Sequence, residues 1–223
     1  MALYIGNEKI GELYIGSEKI KQAYLGSELV YSSSHYTPNQ VLYESSTGGA
    51  STTLNLLDDG KYQVICIAGG GGGAGASPQL NLGGNGSAGG GSGSGFDCVF
   101  QLTAGNYSIA VGSGGAGKTN GTATTGGNSQ FGTCYAYGGT GGKATRNTTN
   151  VSTTVGSGGA SPTLTYTRTT TTLNTAGNNG STGTNSASGG SAVYSTYGKG
   201  GDGSYNSPVA GNDGYVKVVY IGA

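Results

Sequence analysis

An all-β fold with extensive irregular structure and almost no α-helix is predicted by three features of this chain. No segment repeats apolar residues at a helical period, short apolar runs sit between turn-forming residues, and glycine supplies 49 of the 223 residues. The predicted architecture is an N-terminal β-meander repeat followed by a glycine-rich, β-sandwich-like domain with packed polyproline II (polyglycine II) segments. Glycine inside a regular element costs about 0.5–1 kcal/mol relative to alanine, so runs such as 69–73, 89–91, 138–142 and 198–203 need a structural reason. Touching backbones supply it. Polyproline II geometry makes no internal hydrogen bonds, and parallel rods of it can bond sideways only where no Cβ intervenes. Collagen, the competing use of this geometry, needs a strict three-residue glycine period and abundant proline, and there are four prolines here.

Residues 1–31 contain a ten-residue repeat, LYIGNEKIGE, LYIGSEKIKQ and AYLGSELVYS. Each unit reads as one strand and a tight turn opened by Gly6, Gly16 or Gly26, giving an antiparallel meander. Tyr4, Ile5, Tyr14, Ile15, Tyr24 and Leu25 put large apolar groups on both faces. So small a ribbon cannot bury them alone, which makes these residues the candidate assembly contacts of an attachment module. Residues 32–49 read as a linker, with a short strand at 41–43. From residue 50 onward comes the glycine-rich body. Its predicted strands are a hairpin of 51–57 and 61–68 about Asp58-Asp59-Gly60, then 96–102, 107–111, 130–137 and 215–221.

Charge excludes several function classes. Ten basic and ten acidic residues cancel, and charged residues make up 9% of the chain against roughly 25% typically. No nucleic-acid partner and no membrane insertion is expected, and no apolar run is long enough to span a bilayer. Disorder is disfavoured by the 16 tyrosines and the apolar strands. The N-terminus MALYIGNEKI has neither the basic start nor the apolar core of a signal peptide, so any extracellular role implies carriage by an assembly or release by lysis. Cys66, Cys98 and Cys134 lie in apolar strands without paired spacing and read as buried free thiols; no metal or other cofactor is expected.

One enzyme pattern is matched literally. Residues 112–119, GSGGAGKT, fit the phosphate-binding GxxxxGKT and follow an apolar strand. A phosphate loop must open a helix, however, and NGTATTGGN follows instead. The single histidine, His35, sits in the linker, and the carboxylates pair only at the Asp58-Asp59 turn, so no catalytic residue is assigned and no enzyme is expected. The polar segments 143–155 and 161–176 read as loops and hold both arginines. Arg146, Tyr166, Arg168, Tyr194, Tyr197 and Tyr205 are the candidate binding residues, because tyrosine and arginine on adaptable loops bring contact area at low entropic cost. With so few charges in those loops, binding is expected to vary only weakly with salt.

The segments VICIAGGGGGAG, YSIAVGSGGAG, SQFG…AYGGTGG and DGYVKVVYIGA together resemble the glycine-rich domain of tailed-bacteriophage tail fibre and receptor-binding (adhesin) proteins, over residues 51–223. The YIGxEKI repeats are similar to those that begin many phage tail proteins. The resemblance implies a virion component of the distal tail, made in the bacterial host cytoplasm. Its implied partners are other virion tail proteins and a bacterial surface receptor, saccharide or outer protein. Apart from the resemblance, the two apolar faces of the N-terminal meander point to self-association or docking, a trimer being one arrangement of a homo-oligomer. The alternative is a structural tail or fibre subunit whose body serves assembly while host contact lies elsewhere. The Thr-rich insertion 146–175 departs from the family pattern.

Overall fold

The computed structural model describes residues 34–77 and 84–223 in full and, within 4–32, the backbone of six short strands. Those six form three separate antiparallel hairpins: Tyr4–Ile5 with Glu8–Lys9, Leu13–Ile15 with Glu18–Ile20, and Gln22–Leu25 with Glu28–Ser32. Each repeat thus closes on itself, where the sequence suggested one strand per repeat in a continuous meander. Ile5 pairs with Glu8 and Ile15 with Glu18, so two residues separate the strands, the shortest and commonest hairpin connection. The side chains of the six assembly candidates lie outside the described residues.

The body is all-β. A five-stranded antiparallel sheet runs in the order Arg168–Thr175, Gly95–Leu102, Gly60–Ile67, Tyr215–Gly222, Gln40–Ser45. A four-stranded sheet runs Cys134–Ala136, Ser129–Phe131, Gly105–Ala110, Ser51–Leu56. Their facing sides enclose the main core, with Tyr62, Phe96, Phe100, Val216, Val218 and Tyr220 from one sheet meeting Leu56, Ile109 and Phe131 from the other. All three cysteines are buried and free, as the sequence indicated.

Three strand assignments change. The Asp-Gly segment is a corner between sheets, not a hairpin turn, because Ser51–Leu56 pairs with Gly105–Ala110 while Gly60–Ile67 pairs with Gly95–Leu102 and Tyr215–Gly222. The chain makes a second crossing at 103–104, and Asp59 Oδ1 ties the two corners by accepting from Ala104 N at 2.7 Å. Residues 130–137 form two strands about Gly132 (φ 56°), where only glycine meets the backbone demand without strain. Finally, both polar segments read as loops hold strands: Lys143–Arg146 pairs with Val151–Thr154, and the Thr-rich Arg168–Thr175 is an edge strand. Its β-branched side chains suit a strand, but none alternates with an apolar partner to announce it.

The glycine runs supply the rest of the body. Residues 69–73 donate at a period of three: Gly69 N to Gly127 O and Gly72 N to Thr124 O, Gly70 N to Asn212 O and Gly73 N to Val209 O, Gly71 N to Gly91 O. Their carbonyls accept at the same period, from Gly139 and Gly142, from Gly115 and Lys118, and from Gly201. A three-residue turn pointing three amides and three carbonyls outward is polyproline II geometry, and here it gives one rod six neighbours. The run 89–94 has the same environment, donating to 178–181, 198–201 and 137–140 and accepting from 156–159, 190 and 68–71. Among the described residues, eight further runs surround these two rods: 112–117, 123–128, 137–142, 155–160, 176–181, 188–191, 198–202 and 209–214. They bond side to side in sequence order, and the ring closes where Gly211 N and Gly214 N donate to Gly115 O and Gly112 O.

Spacing in this lattice leaves no room for side chains. A Cβ built on Gly70 would overlap the carbonyl of Lys199, one on Gly71 that of Thr140, and one on Gly139 that of Gly91. Perimeter amides that face no backbone are met by short side chains: Gly138 N donates to Asn128 Oδ1 (3.0 Å), Gly158 N to Asn179 Oδ1 (2.9 Å), Gly189 N to Asp202 Oδ1 (2.8 Å) and Gly114 N to Asp213 Oδ1 (2.6 Å). We predict that Gly71→Ala or Gly139→Val costs several kcal/mol or prevents folding. Gly84→Ala, whose Cβ meets among the described residues only Thr184 Cγ2 at 3.7 Å, should melt within about 0.5 kcal/mol of the parent. Calorimetric melting decides, and equal stability of the three variants would refute close packing as the reason for glycine.

Asp58 anchors the start of the body. Its Oδ2 accepts from Ser34 Oγ (2.6 Å), His35 N (2.6 Å) and Tyr36 N (3.2 Å), and its Oδ1 lies 2.7 Å from His35 Nδ1. Burial opposes its ionisation, but the hydrogen bonds from Ser34 and His35 outweigh that and hold its carboxyl below the ordinary value. A depressed carboxylate stabilises the fold above its unfolded pKa, near 4, and that contribution is lost as the pH falls through the lower folded value. Hydrogen-exchange protection of His35 and Tyr36 should therefore hold at pH 7 and collapse in acid before the sheets open. Protection unchanged by Asp58→Asn would show that the carboxylate is not the anchor.

Candidate functional site

Hydrogen-bond direction fixes which parts of the chain meet. Runs 69–73 and 89–94 are antiparallel, since Gly71 donates to Gly91 and Ala68 to Ser94; 112–117 and 137–142 run with 69–73, and 123–128 and 209–214 run against it. Through all ten runs the direction alternates along the chain. Successive connections therefore emerge at opposite ends of the lattice. The segments 95–111, 129–136, 161–175, 192–197 and 215–222 leave one end, where they build the two sheets. The segments 74–77 with 84–88, 118–122, 143–154, 182–187 and 203–208 gather at the other.

At this second end the connections knit into small sheets. Ala74–Ala76 pairs with Gly86–Ala88 and, in parallel, with Lys118–Thr119; Gly86–Ala88 pairs with Thr182–Gly183. Lys143–Arg146 pairs with Gly121–Thr122 and Val151–Thr154, and Ser186–Ala187 pairs with Gly203–Ser204. A miniature core of Ala74, Ala76, Ala123 and Ala144, with Val151 against it, holds them to the rods. Asn120, at φ 52°, is pinned twice: its N–H donates to Gly75 O (2.7 Å), and its Oδ1 accepts from Arg146 N (3.0 Å). Asn85 Nδ2 donates to Asn185 Oδ1 at 3.1 Å, and Tyr205 N to Asn185 O at 3.3 Å.

The six binding candidates divide between the two ends. Arg146 is exposed on the Lys143–Arg146 strand, and Tyr205 is half-buried beside Asn185, both at the loop end. The other four lie with the sheets. Tyr166 packs its ring against Phe100, Tyr107 and Phe131 at centroid distances of 5.9, 5.8 and 6.2 Å, and its hydroxyl accepts from Thr133 N at 3.1 Å. Tyr194 and Tyr197 stack on Tyr215, at 6.2 and 4.3 Å, over Ile65 and Ile67 on the outer face of the five-stranded sheet. Arg168 begins the edge strand opposite Phe100. No single surface collects all six. Lys118 and Lys143, which sequence reasoning did not single out for binding, stand beside Arg146 at the loop end.

The segment resembling a phosphate loop has its amides engaged elsewhere. Gly112 N donates to Ser129 Oγ (2.8 Å), Gly114 N to Asp213, Gly115 N to Gly70 O (2.8 Å), Ala116 N to Thr124 Oγ1 (2.5 Å) and Lys118 N to Gly73 O (3.0 Å). These are lattice bonds, and the segment is one perimeter rod.

Placement separates packing from contact. Tyr166→Ala should destabilise by about 2–4 kcal/mol through lost core contacts, and Tyr197→Ala should lower the melting temperature through lost stacking on Tyr215. Arg146→Ala should leave it within about 0.5 kcal/mol. Thermal melting of the three variants checks this, and an Arg146 variant as unstable as the Tyr166 one would contradict the assignment.

Comparison with known proteins gives one family. The model of a family described as a glycine-rich domain matches residues 45–223, from the edge strand of the five-stranded sheet to the last residue. A search of curated proteins finds no match.

Proposed function

The chain belongs to the glycine-rich domain family, and from that premise we propose that it is a non-enzymatic adhesin of a bacteriophage tail tip or tail fibre, binding a bacterial surface receptor through the loop end. One observation carries this reading: five connections converge at one end of a rigid lattice, opposite the sheet end that receives the chain from the N-terminal repeats. Rods fixed by backbone bonds tolerate new loop sequences between them, which is what recognition of varied surfaces requires. Arg146 and Tyr205 are the contacts retained from the sequence. The N-terminal hairpins are the module that joins sister subunits or other tail proteins, because a free two-stranded hairpin is marginal in water. The reading places the protein in the virion at the distal tail.

The test is a loop exchange that respects the fold. Replacing the whole of 143–176 would delete the edge strand Arg168–Thr175, so only 145–152 is exchanged, for Asn-Gly, leaving Ala144 in its alanine core. The variant, which also gives up the Val151 contact at the edge of that core, should stay cooperatively folded with a slightly lowered melting temperature and lose adsorption to host cells, while protein lacking residues 1–31 should adsorb yet be missing from assembled particles. Full adsorption by the exchanged variant would move host contact off the loop end and favour a structural tail subunit.

A further inference from the structure

The chain is neutral as a whole, yet its charges are sorted along the rod axis. The five loop-end connections contain Lys118, Lys143 and Arg146 and, among their described residues, no aspartate or glutamate. The sheet end holds Glu44, Asp58, Asp59, Asp97 and Asp213 against Lys61, Arg168 and Lys217. Along the rods Lys199 and Asp202 pair at 3.3 Å, and the Asp202 carboxylate also accepts from Gly189 N, so this acid is already committed.

The three loop-end cations are neighbours by construction. Lys143 pairs in register with Thr122, Arg146 donates its backbone N–H to Asn120, and the Lys118 stem lies against Gly121. All three flank the 118–122 turn, whose central Asn120 is locked by its two hydrogen bonds. All three side chains are exposed, and among the described residues none forms an ion pair or a side-chain hydrogen bond. Positive charge without a counter-charge on a rigid platform is a field waiting for an anion.

We propose that the 118–122 turn, with Lys118, Lys143 and Arg146, binds an anionic saccharide, a surface glycan bearing phosphate or carboxylate groups. This rests on the loop-end reading above and names the receptor chemistry. An acidic protein surface fits less well. Protein interfaces anchor on buried aromatic and large apolar side chains, whereas the exposed residues around the three cations are Thr119, Asn120, Thr122, Asn147 and Thr148. Hydroxyls and amides beside cations match the hydroxyls and anionic groups of a glycan. Binding then weakens with salt, reversing the weak dependence expected from the few charges in the loops.

The experiment measures binding of the full chain by interferometry to dextran phosphate, carboxymethyl-dextran, unmodified dextran and polyglutamate, at 20 and 300 mM NaCl. Binding to one or both anionic dextrans, falling with salt, supports the site, and the preferred arm identifies phosphate or carboxylate. Joint Lys118→Gln, Lys143→Gln and Arg146→Gln substitution should weaken it at least about tenfold with unchanged melting. The same charge change away from the turn, Lys61→Gln, Lys199→Gln and Lys217→Gln, should leave it within about twofold. Absence of binding to both anionic dextrans, equal binding to neutral dextran, stronger binding to polyglutamate, or equal loss in both triple variants overturns the proposal. The two readings fail separately. Normal adsorption to cells by the loop-end triple variant, with adsorption lost on exchanging 145–152, sinks the anion site alone. Dextran binding intact beside full adsorption by the exchanged variant sinks the loop end as host contact.

Discussion

Every other feature of the body depends on backbones that hydrogen-bond to one another without intervening side chains. A buried amide or carbonyl left unpaired costs about 1–3 kcal/mol, and helices and sheets avoid this with local or two-sided pairing. The rods 69–73 and 89–94 avoid it with six neighbours each, three for their amides and three for their carbonyls. Glycine is required there for lack of space, not for positive φ. Of the glycines in the ten runs only Gly198 has φ in the left-handed region, while Cβ atoms on almost all of the others would overlap a neighbouring backbone.

The same constraint explains the residues that accompany glycine. A perimeter rod has neighbours on some sides only, and an amide facing outward needs an acceptor that reaches a short distance. Ser, Thr, Asn and Asp provide one: Thr124 Oγ1 serves Ala116 N, Thr140 Oγ1 serves Ser157 N, and Ser94 Oγ serves Tyr137 N. The largest fully buried side chains, Tyr62, Tyr220 and Phe96 among them, belong to the sheets. The composition is thus divided by task, with aromatics between the sheets, glycine inside the lattice and short polar residues around it.

Much of this was legible in the sequence, and the misreadings share one cause. Glycine in runs, with few prolines, pointed to packed polyproline II rods, and the apolar runs located the strands of the core. Pairing was not legible, because it depends on contacts far apart in the chain. Asp58-Asp59-Gly60 carries a hairpin signature, yet Ser51–Leu56 and Gly60–Ile67 are claimed by different sheets. Arg168–Thr175 has no apolar period, being an edge strand with mostly exposed side chains. Tyr166 and Tyr197 looked like binding residues because their neighbours in sequence are polar, whereas their neighbours in space are Phe131 and Tyr215.

Alternation of rod direction converts a one-dimensional sequence into a two-ended object. Consecutive connections go to opposite ends, so the sheet end can keep its core strands while the loop end changes, although the two are interleaved along the chain. Lys118 and Lys143 are 25 positions apart and separated by a strand pair of the other end, yet the two rods that flank run 123–128 deliver them to the same turn. A reading by segments therefore mixes the ends, as it did in grouping Arg146 with Arg168 within one Thr-rich stretch. Sorting by rod parity separates them: each of the four connections that follow a forward perimeter run, 118–122, 143–154, 182–187 and 203–208, belongs to the loop end. That rule needs only the order of the glycine runs, and it makes the absence of acidic residues from the loop end visible in a chain whose total charge is zero.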